Sequence, residues 1–95
     1  MSAYFVAIKI ETTNQAELDI YGQMAGPSLQ GHPAIPKAFY GSIRNTDGMP
    51  VEGAVIIEFP SFKEAELWYD SPAYQEAVVH RFAGAKYTTF IIEGV

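Results

Sequence analysis

The chain reads as an α+β fold of the ferredoxin-like type: a four-stranded antiparallel sheet in βαββαβ order, helices on one face, the second helix broken at Ser71-Pro72. Three observations predict it. Four short segments are rich in β-branched and aromatic residues at strand spacing. Two longer segments switch to helical spacing behind a capping pattern. The two middle strands are joined by a loop carrying an Asp47-Gly48 pair instead of a helix.

Taken in order, residues 4–11 form the first strand, apolar at Phe5, Ile8 and Ile10 and turning polar on one parity at Lys9 and Glu11. Asn14 followed by Glu17 resembles a capping box, and Leu18, Tyr21, Met24 and Ala25 recur at helical spacing. This predicts a first helix over about residues 15–26 or somewhat longer, with Gly26-Pro27 as the expected stop. Residues 26–36 hold three prolines and two glycines, which predicts a loop or a kinked, broken continuation. Residues 37–44 and 53–59 form a hairpin around the turn at 45–50. Pro60 ends the third strand, and Ser61 with Glu64 caps a short helix through Ala65, Leu67, Trp68 and Tyr69. Ser71-Pro72 then starts a second helical piece that ends near Gly84, because serine suits the cap and proline the first helical position. Residues 86–93 are the last strand.

Ninety-five residues, 48% hydrophobic, make a single domain over residues 1–95 that is small for enclosing a deep private site. A net charge of -5 argues against nucleic acid or an anionic membrane as partner. The absence of cysteine removes disulfides, thiolate nucleophiles and cysteine-based zinc sites. No charged segment followed by an apolar one suggests a signal peptide, and no apolar run approaches the roughly 20 residues of a membrane span, so the expected compartment is the cytoplasm. Ala54 and Ile56 share a parity with Glu58, while Phe5 and Ala7 share one with Lys9. Both sheet faces are thus largely apolar, and the one without helices calls for a second copy of the chain. Phe5, Ile56 and Phe90 are the expected members of that dimer face.

The candidate chemistry is sparse. His32 and His80 lack metal-ligand spacing, and no GxGxxG or GxxxxGK[ST] motif is present, so neither metal nor cofactor is expected; a haem ligand context is missing as well. His32 in the proline-rich loop is either an exposed or locally hydrogen-bonded loop residue or a general acid or base, whereas His80 beside Arg81 reads as a solvated helix position. Glu58 sits in an otherwise apolar strand and has two readings: a structural ion pair with Lys9, or a carboxyl group tuned for proton transfer. Tyr40 completes the candidate catalytic set of His32, Glu58 and Tyr40. Trp68, Tyr69 and Tyr74 gather at the helix break, as core packing or as a pocket wall, and Tyr21 adds a hydroxyl from the first helix. Arg81 either anchors an anionic ligand or pairs with Glu76 or Asp70.

The run Glu58-Phe59-Pro60-Ser61, then Ala65, then Trp68-Tyr69-Asp70-Ser71-Pro72-Ala73-Tyr74-Gln75-Glu76-Ala77, with Ile92-Glu93-Gly94-Val95 at the end and Ala3-Tyr4 at the start, resembles the family called domain of unknown function 1330. The resemblance implies a subunit of the dimeric α+β barrel superfamily, in which two sheets pack face to face and enclose a pocket between sheet and helices or between subunits. That superfamily includes cofactor-independent monooxygenases, isomerase-like enzymes and haem-dependent members, and this family brings no settled activity. Its members commonly carry a Gly-Gly-Arg-type loop before the second strand and Arg-Gly-Gly at that strand's end. Here those regions read Gly31-His32-Pro33-Ala34-Ile35-Pro36-Lys37 and Tyr40-Gly41-Ser42. The functional expectation is a small-molecule-binding homodimer acting by cofactor-free acid/base chemistry on an organic substrate. The alternative is a non-catalytic accessory or stress-related protein whose sheet face serves only assembly.

Overall fold

A computed structural model describes all 95 residues. The elements are β1 (Ala3–Thr12), α1 (Gln15–Ser28), β2 (Ile35–Phe39), β3 (Gly53–Phe59), α2 (Phe62–Tyr69), α3 (Pro72–Gly84) and β4 (Ala85–Glu93). The strands form one antiparallel sheet in the order β2-β3-β1-β4, which is the ferredoxin-like α+β arrangement, with the second helix divided as the Ser71-Pro72 signal predicts.

Register decides which residues the helices cover. Phe5 lies between Ile57 and Ile91, Ala7 between Val55 and Thr89, and Lys9 between Gly53 and Tyr87. Directly opposed residues of antiparallel strands project to the same side, so this set shares one face. That face is the helix-covered one, where Phe5, Val55, Ile57 and Phe59 are buried with Trp68, Tyr74 and Val78. Tyr4, Val6 and Ile8, opposed by Glu58, Ile56 and Ala54, occupy the other face with Phe90 and Ile92. Phe5 therefore belongs to the core and not, as expected, to the open face with Ile56 and Phe90. The same alternation separates Lys9 from Glu58. They lie on opposite faces, and each finds another partner: Lys9 Nζ is 3.8 Å from Glu52 Oε1, and Lys37 Nζ is 3.8 Å from Glu58 Oε1.

Two boundaries differ from expectation. α1 continues through Pro27 to Ser28, because Ser28 is anchored from outside the helix: its buried hydroxyl donates to the Ala25 carbonyl and accepts from the Trp68 indole N–H at 3.1 Å. β2 is shorter and starts earlier, at Ile35. Pro36 is tolerated because β2 is an edge strand, and the strand stops where Tyr40 turns left-handed, with φ of 51°. Beyond it, Asn45 closes the loop by donating to the Val51 carbonyl and accepting from the Val51 N–H. Gly48 supplies the positive φ of 80° that the Asp47-Gly48 pair foreshadows.

All three helix starts follow their local signals. Asn14 Oδ1 accepts from the Glu17 N–H, Ser61 Oγ from that of Glu64 and Ser71 Oγ from that of Tyr74. α3 also locks the entry to α1, since the Gly84 carbonyl accepts from the N–H groups of both Thr13 and Asn14. A Cβ at Gly84 would lie 2.9 Å from the Leu18 side chain, so the absence of a side chain there sets how closely the two helices approach.

Candidate functional site

Between α1 and the helix-covered face of the sheet lies a cavity of about 300 Å³, with 12 hydrophobic residues among the 16 that line it. Phe5, Val55 and Ile57 make its sheet wall and Trp68 comes from α2. α1 contributes Tyr21 and Gly22. The polar groups come from Lys9, Gln15, Tyr21, Tyr40 and Tyr87; no carboxylate and no imidazole lines it. The size falls at the lower end of the range for small-molecule sites.

Tyr40 reaches the cavity through its unusual backbone. The left-handed conformation costs a non-glycine residue about 1–2 kcal/mol, and it lays the ring against Gly53, where an added Cβ would come within 2.7 Å of Tyr40 Cδ1. The Tyr40 hydroxyl meets that of Tyr87 at 2.5 Å, and Lys9 Nζ stands 5.5 Å from the centre of the Tyr40 ring. Glu52 fixes the rim. It accepts from the Thr12 hydroxyl and N–H and pairs with Lys9, and these bonds, the Thr12 hydroxyl first, hold its carboxyl below the usual range.

A second group of hydroxyls leads from the cavity into the core. The Tyr21 and Tyr74 hydroxyls are 2.8 Å apart, and Arg81 Nη1 donates to Tyr74 at 2.9 Å. Arg81 is 3% exposed and has no carboxylate partner; its Nε has no hydrogen-bond partner at all. The guanidinium instead lies between the rings of Phe82 and Tyr87, at 5.2 and 5.4 Å from their centres. Burial alone would lower the Arg81 pKa, but the facing oxygens of Tyr74 and Tyr21 outweigh it, so the net shift is upward and the group stays cationic.

Burial is also the leading cause that pushes Tyr21, Tyr74 and Tyr87 above the ordinary phenol value of 10.0. These three of the six tyrosines are therefore hydroxyl donors at neutral pH. Because the unfolded chain loses these protons first, the stability present below about pH 10 is lost as the pH rises further. In an ultraviolet titration, the tyrosinate absorbance of these three is expected to appear together with alkaline unfolding. Ionisation of Tyr21, Tyr74 and Tyr87 near pH 10 in a chain that keeps its far-ultraviolet circular dichroism would contradict this burial.

The candidates from the sequence divide accordingly. Tyr21, Tyr40 and Trp68 line the cavity; Tyr74 and Arg81 stand behind Tyr21; Tyr69 packs on Phe5 and Tyr74 without lining it. Glu58 is elsewhere, on the open face, where it accepts from the Tyr4 hydroxyl at 3.2 Å and borders a depression of about 140 Å³ beside Pro33 and Ile35. That bond is the first cause of the raised Tyr4 pKa. His32 follows α1, its N–H on the Leu29 carbonyl, outside the main cavity. His80 is not a free helix position, since its Nδ1 lies 2.6 Å from Glu17 Oε2 and ties α3 to α1. Arg81 pairs with neither Glu76 nor Asp70, because it turns into the core instead of along the helix surface. Among the polar lining residues, Lys9, Gln15 and Tyr87 are those that sequence reasoning did not assign to the cavity. For Lys9 and Tyr87 strand parity carried the signal, since Tyr87 opposes Lys9 across β1 and β4.

A family model described as "Domain of unknown function (DUF1330)" matches residues 2–95. No curated protein matches the chain. Among solved structures, a protein of unknown function from Rhodopseudomonas palustris aligns with 99% of this chain and 82% of its own, at 16% identity and a TM-score of 0.74. SnoaB, a cofactor-independent oxygenase from Streptomyces nogalater, aligns with 99% of this chain and 93% of its own, at 10% identity and a TM-score of 0.67. A dimeric protein of unknown function with a ferredoxin-like fold from Bacteroides fragilis aligns with 98% and 96%, at 10% identity and a TM-score of 0.61. At these identities the likeness concerns the fold. No helix is long and apolar enough to cross a membrane, and no three potential ligands cluster to hold a metal ion.

Proposed function

The chain belongs to this family of unknown function, and from that premise we propose that it is a small-molecule-binding protein that works as a homodimer, each copy holding an apolar organic ligand between α1 and its sheet. The observation that carries the reading is the cavity itself, about 300 Å³ of predominantly apolar wall with hydroxyls and one lysine as its main polar features. An acid/base enzyme using His32 and Glu58 finds less support, because neither residue lines the cavity; Tyr40 does. The dimeric relative from Bacteroides fragilis and the bare apolar face of the sheet support pairing.

The test is a thermal-shift series with one- and two-ring aromatic compounds on the parent and on Gly22→Phe. Gly22 lines the cavity and a Cβ there meets nothing within 4 Å, so this substitution is expected to occlude the space without displacing the core. A ligand at a hundredfold excess over its Kd adds about 2.7 kcal/mol of stability. The expected result is a raised melting temperature in the parent and none in Gly22→Phe. No shift with any compound, or equal shifts in both proteins, would overturn the cavity as a binding site and favour a protein that only assembles.

A further inference from the structure

Arg81 is a buried cation without a carboxylate partner that donates to the neutral Tyr74 hydroxyl, and the hydrogen atoms of that chain have a fixed order. An arginine side chain can donate but cannot accept. Tyr74 accordingly accepts from Arg81, and because Tyr74 is fully buried its own hydrogen needs an acceptor inside the protein. The Tyr21 oxygen, at 2.8 Å, is the one within reach. Tyr74 therefore donates to Tyr21, and the Tyr21 hydrogen is left without a protein acceptor on a residue that lines the cavity. The lining supplies positive charge from Lys9, offset in part by Glu52 at the rim, and no carboxylate.

We propose that Tyr21 is the anchor for an acidic oxygen of the ligand, a phenol or an enol that binds as its anion, with Arg81 strengthening the Tyr21 donor through Tyr74. Each bond in such a row polarises the next, and in an apolar cavity a donor backed by a fixed cation stabilises a negative oxygen far better than water-exposed groups do. The inference rests on the cavity reading above and adds the ligand class. A flat, largely apolar molecule satisfies the walls, while its one anionic oxygen answers the uncompensated charge of Arg81. The Tyr40–Tyr87 pair also keeps one hydroxyl hydrogen, since a single bond joins the two, but Tyr21 is the lining hydroxyl that a hydrogen-bonded row connects to the buried Arg81.

The probes are 4-nitrophenol, whose phenolate absorbs visible light, and nitrobenzene, which has the same ring and nitro group without the acidic oxygen. Bound 4-nitrophenol is expected to ionise about one pH unit or more below the free compound. Tyr21→Phe is expected to abolish that shift and Tyr74→Phe to reduce it, while nitrobenzene binds the parent and both variants equally, which also shows that the variants keep a folded cavity. If 4-nitrophenol binds with an unchanged or raised ionisation pH, or if the shift survives Tyr21→Phe, the inference is overturned while the cavity reading stands. A shift that survives Tyr21→Phe but vanishes in Lys9→Met would place the anion at the lysine instead. Failure of both compounds to bind the parent would overturn both readings.

Discussion

Trp68→Ala is expected to lower the unfolding free energy by about 3–5 kcal/mol, a large share of the roughly 5–15 kcal/mol available to a small domain. The reason is the position of the indole in the packing between the broken helix and the sheet. It is 2% exposed, stacks on Phe59 at 5.6 Å, meets Phe5 edge-on at 5.0 Å and lies 4.3 Å from the Tyr74 ring. Its N–H also holds Ser28, the residue that carries α1 past Pro27. Removal leaves a void at the floor of the main cavity and loosens the end of α1 in one step. In a domain of this length the midpoint of thermal unfolding should fall by on the order of 20 °C. Trp68→Phe separates the two contributions, because it keeps a ring but deletes the bond to Ser28; an intermediate loss is expected, with the hydrogen bond accounting for about 1 kcal/mol. Equilibrium denaturation checks both variants. A loss below about 1 kcal/mol for Trp68→Ala would show that α2 and the sheet repack around the gap, contrary to the close packing of this core.

The helix break around Trp68 also shows what the sequence could and could not reveal. Its cause is local: Ser71 caps, Pro72 occupies the first turn, and the preceding helix ends at Tyr69, all within a few residues of one another. Asn14 and Ser61 are legible for the same reason, since a cap and the N–H it accepts from are three positions apart. Strand alternation likewise exposes two apolar faces. What alternation leaves open is which parity the helices cover, and that ambiguity misplaced Phe5 and paired Lys9 with Glu58. The missing information is the register between strands some 50 residues apart, where Tyr4 and not Lys9 opposes Glu58. The cavity is less legible still. Tyr40 and Tyr87 are 47 residues apart and Tyr21 and Tyr74 are 53 apart, and each pair is brought together only by the tertiary fold. Arg81 illustrates the limit most sharply. By sequence it is a helical cation that either anchors an anionic ligand or pairs with an acid nearby, and only the close contact of α3 with α1 and β4 turns it inward, where a hydroxyl and two rings replace the carboxylate it would ordinarily find.

In the proposed homodimer, Ile56→Asp should separate the two copies without touching the cavity. Ile56 lies in β3, a central strand, and opposes Val6 on one side and Ala38 on the other, away from the helices. Around it on the open face are Ile8 and the exposed Phe90 and Ile92, at 43% and 52% exposure, so an apolar surface of this kind gains most by meeting its own copy across a twofold axis. At such an axis a substitution in one chain appears twice in the interface. An unpaired carboxylate buried there costs about 3 kcal/mol or more, and two of them weaken association by roughly 10⁴-fold. Sedimentation velocity at micromolar concentration is expected to show a dimer for the parent and a monomer for Ile56→Asp. Ile56→Val is the matched control, which retains the apolar contact and should remain dimeric. The monomeric variant should still bind the ligand, because the cavity is walled by α1, Trp68 and the opposite face of the same sheet. A parent that sediments as a monomer, or an Ile56→Asp that stays paired, would mean that this face is not the contact between copies, and a loss of binding together with the dimer would mean that the second copy completes the cavity.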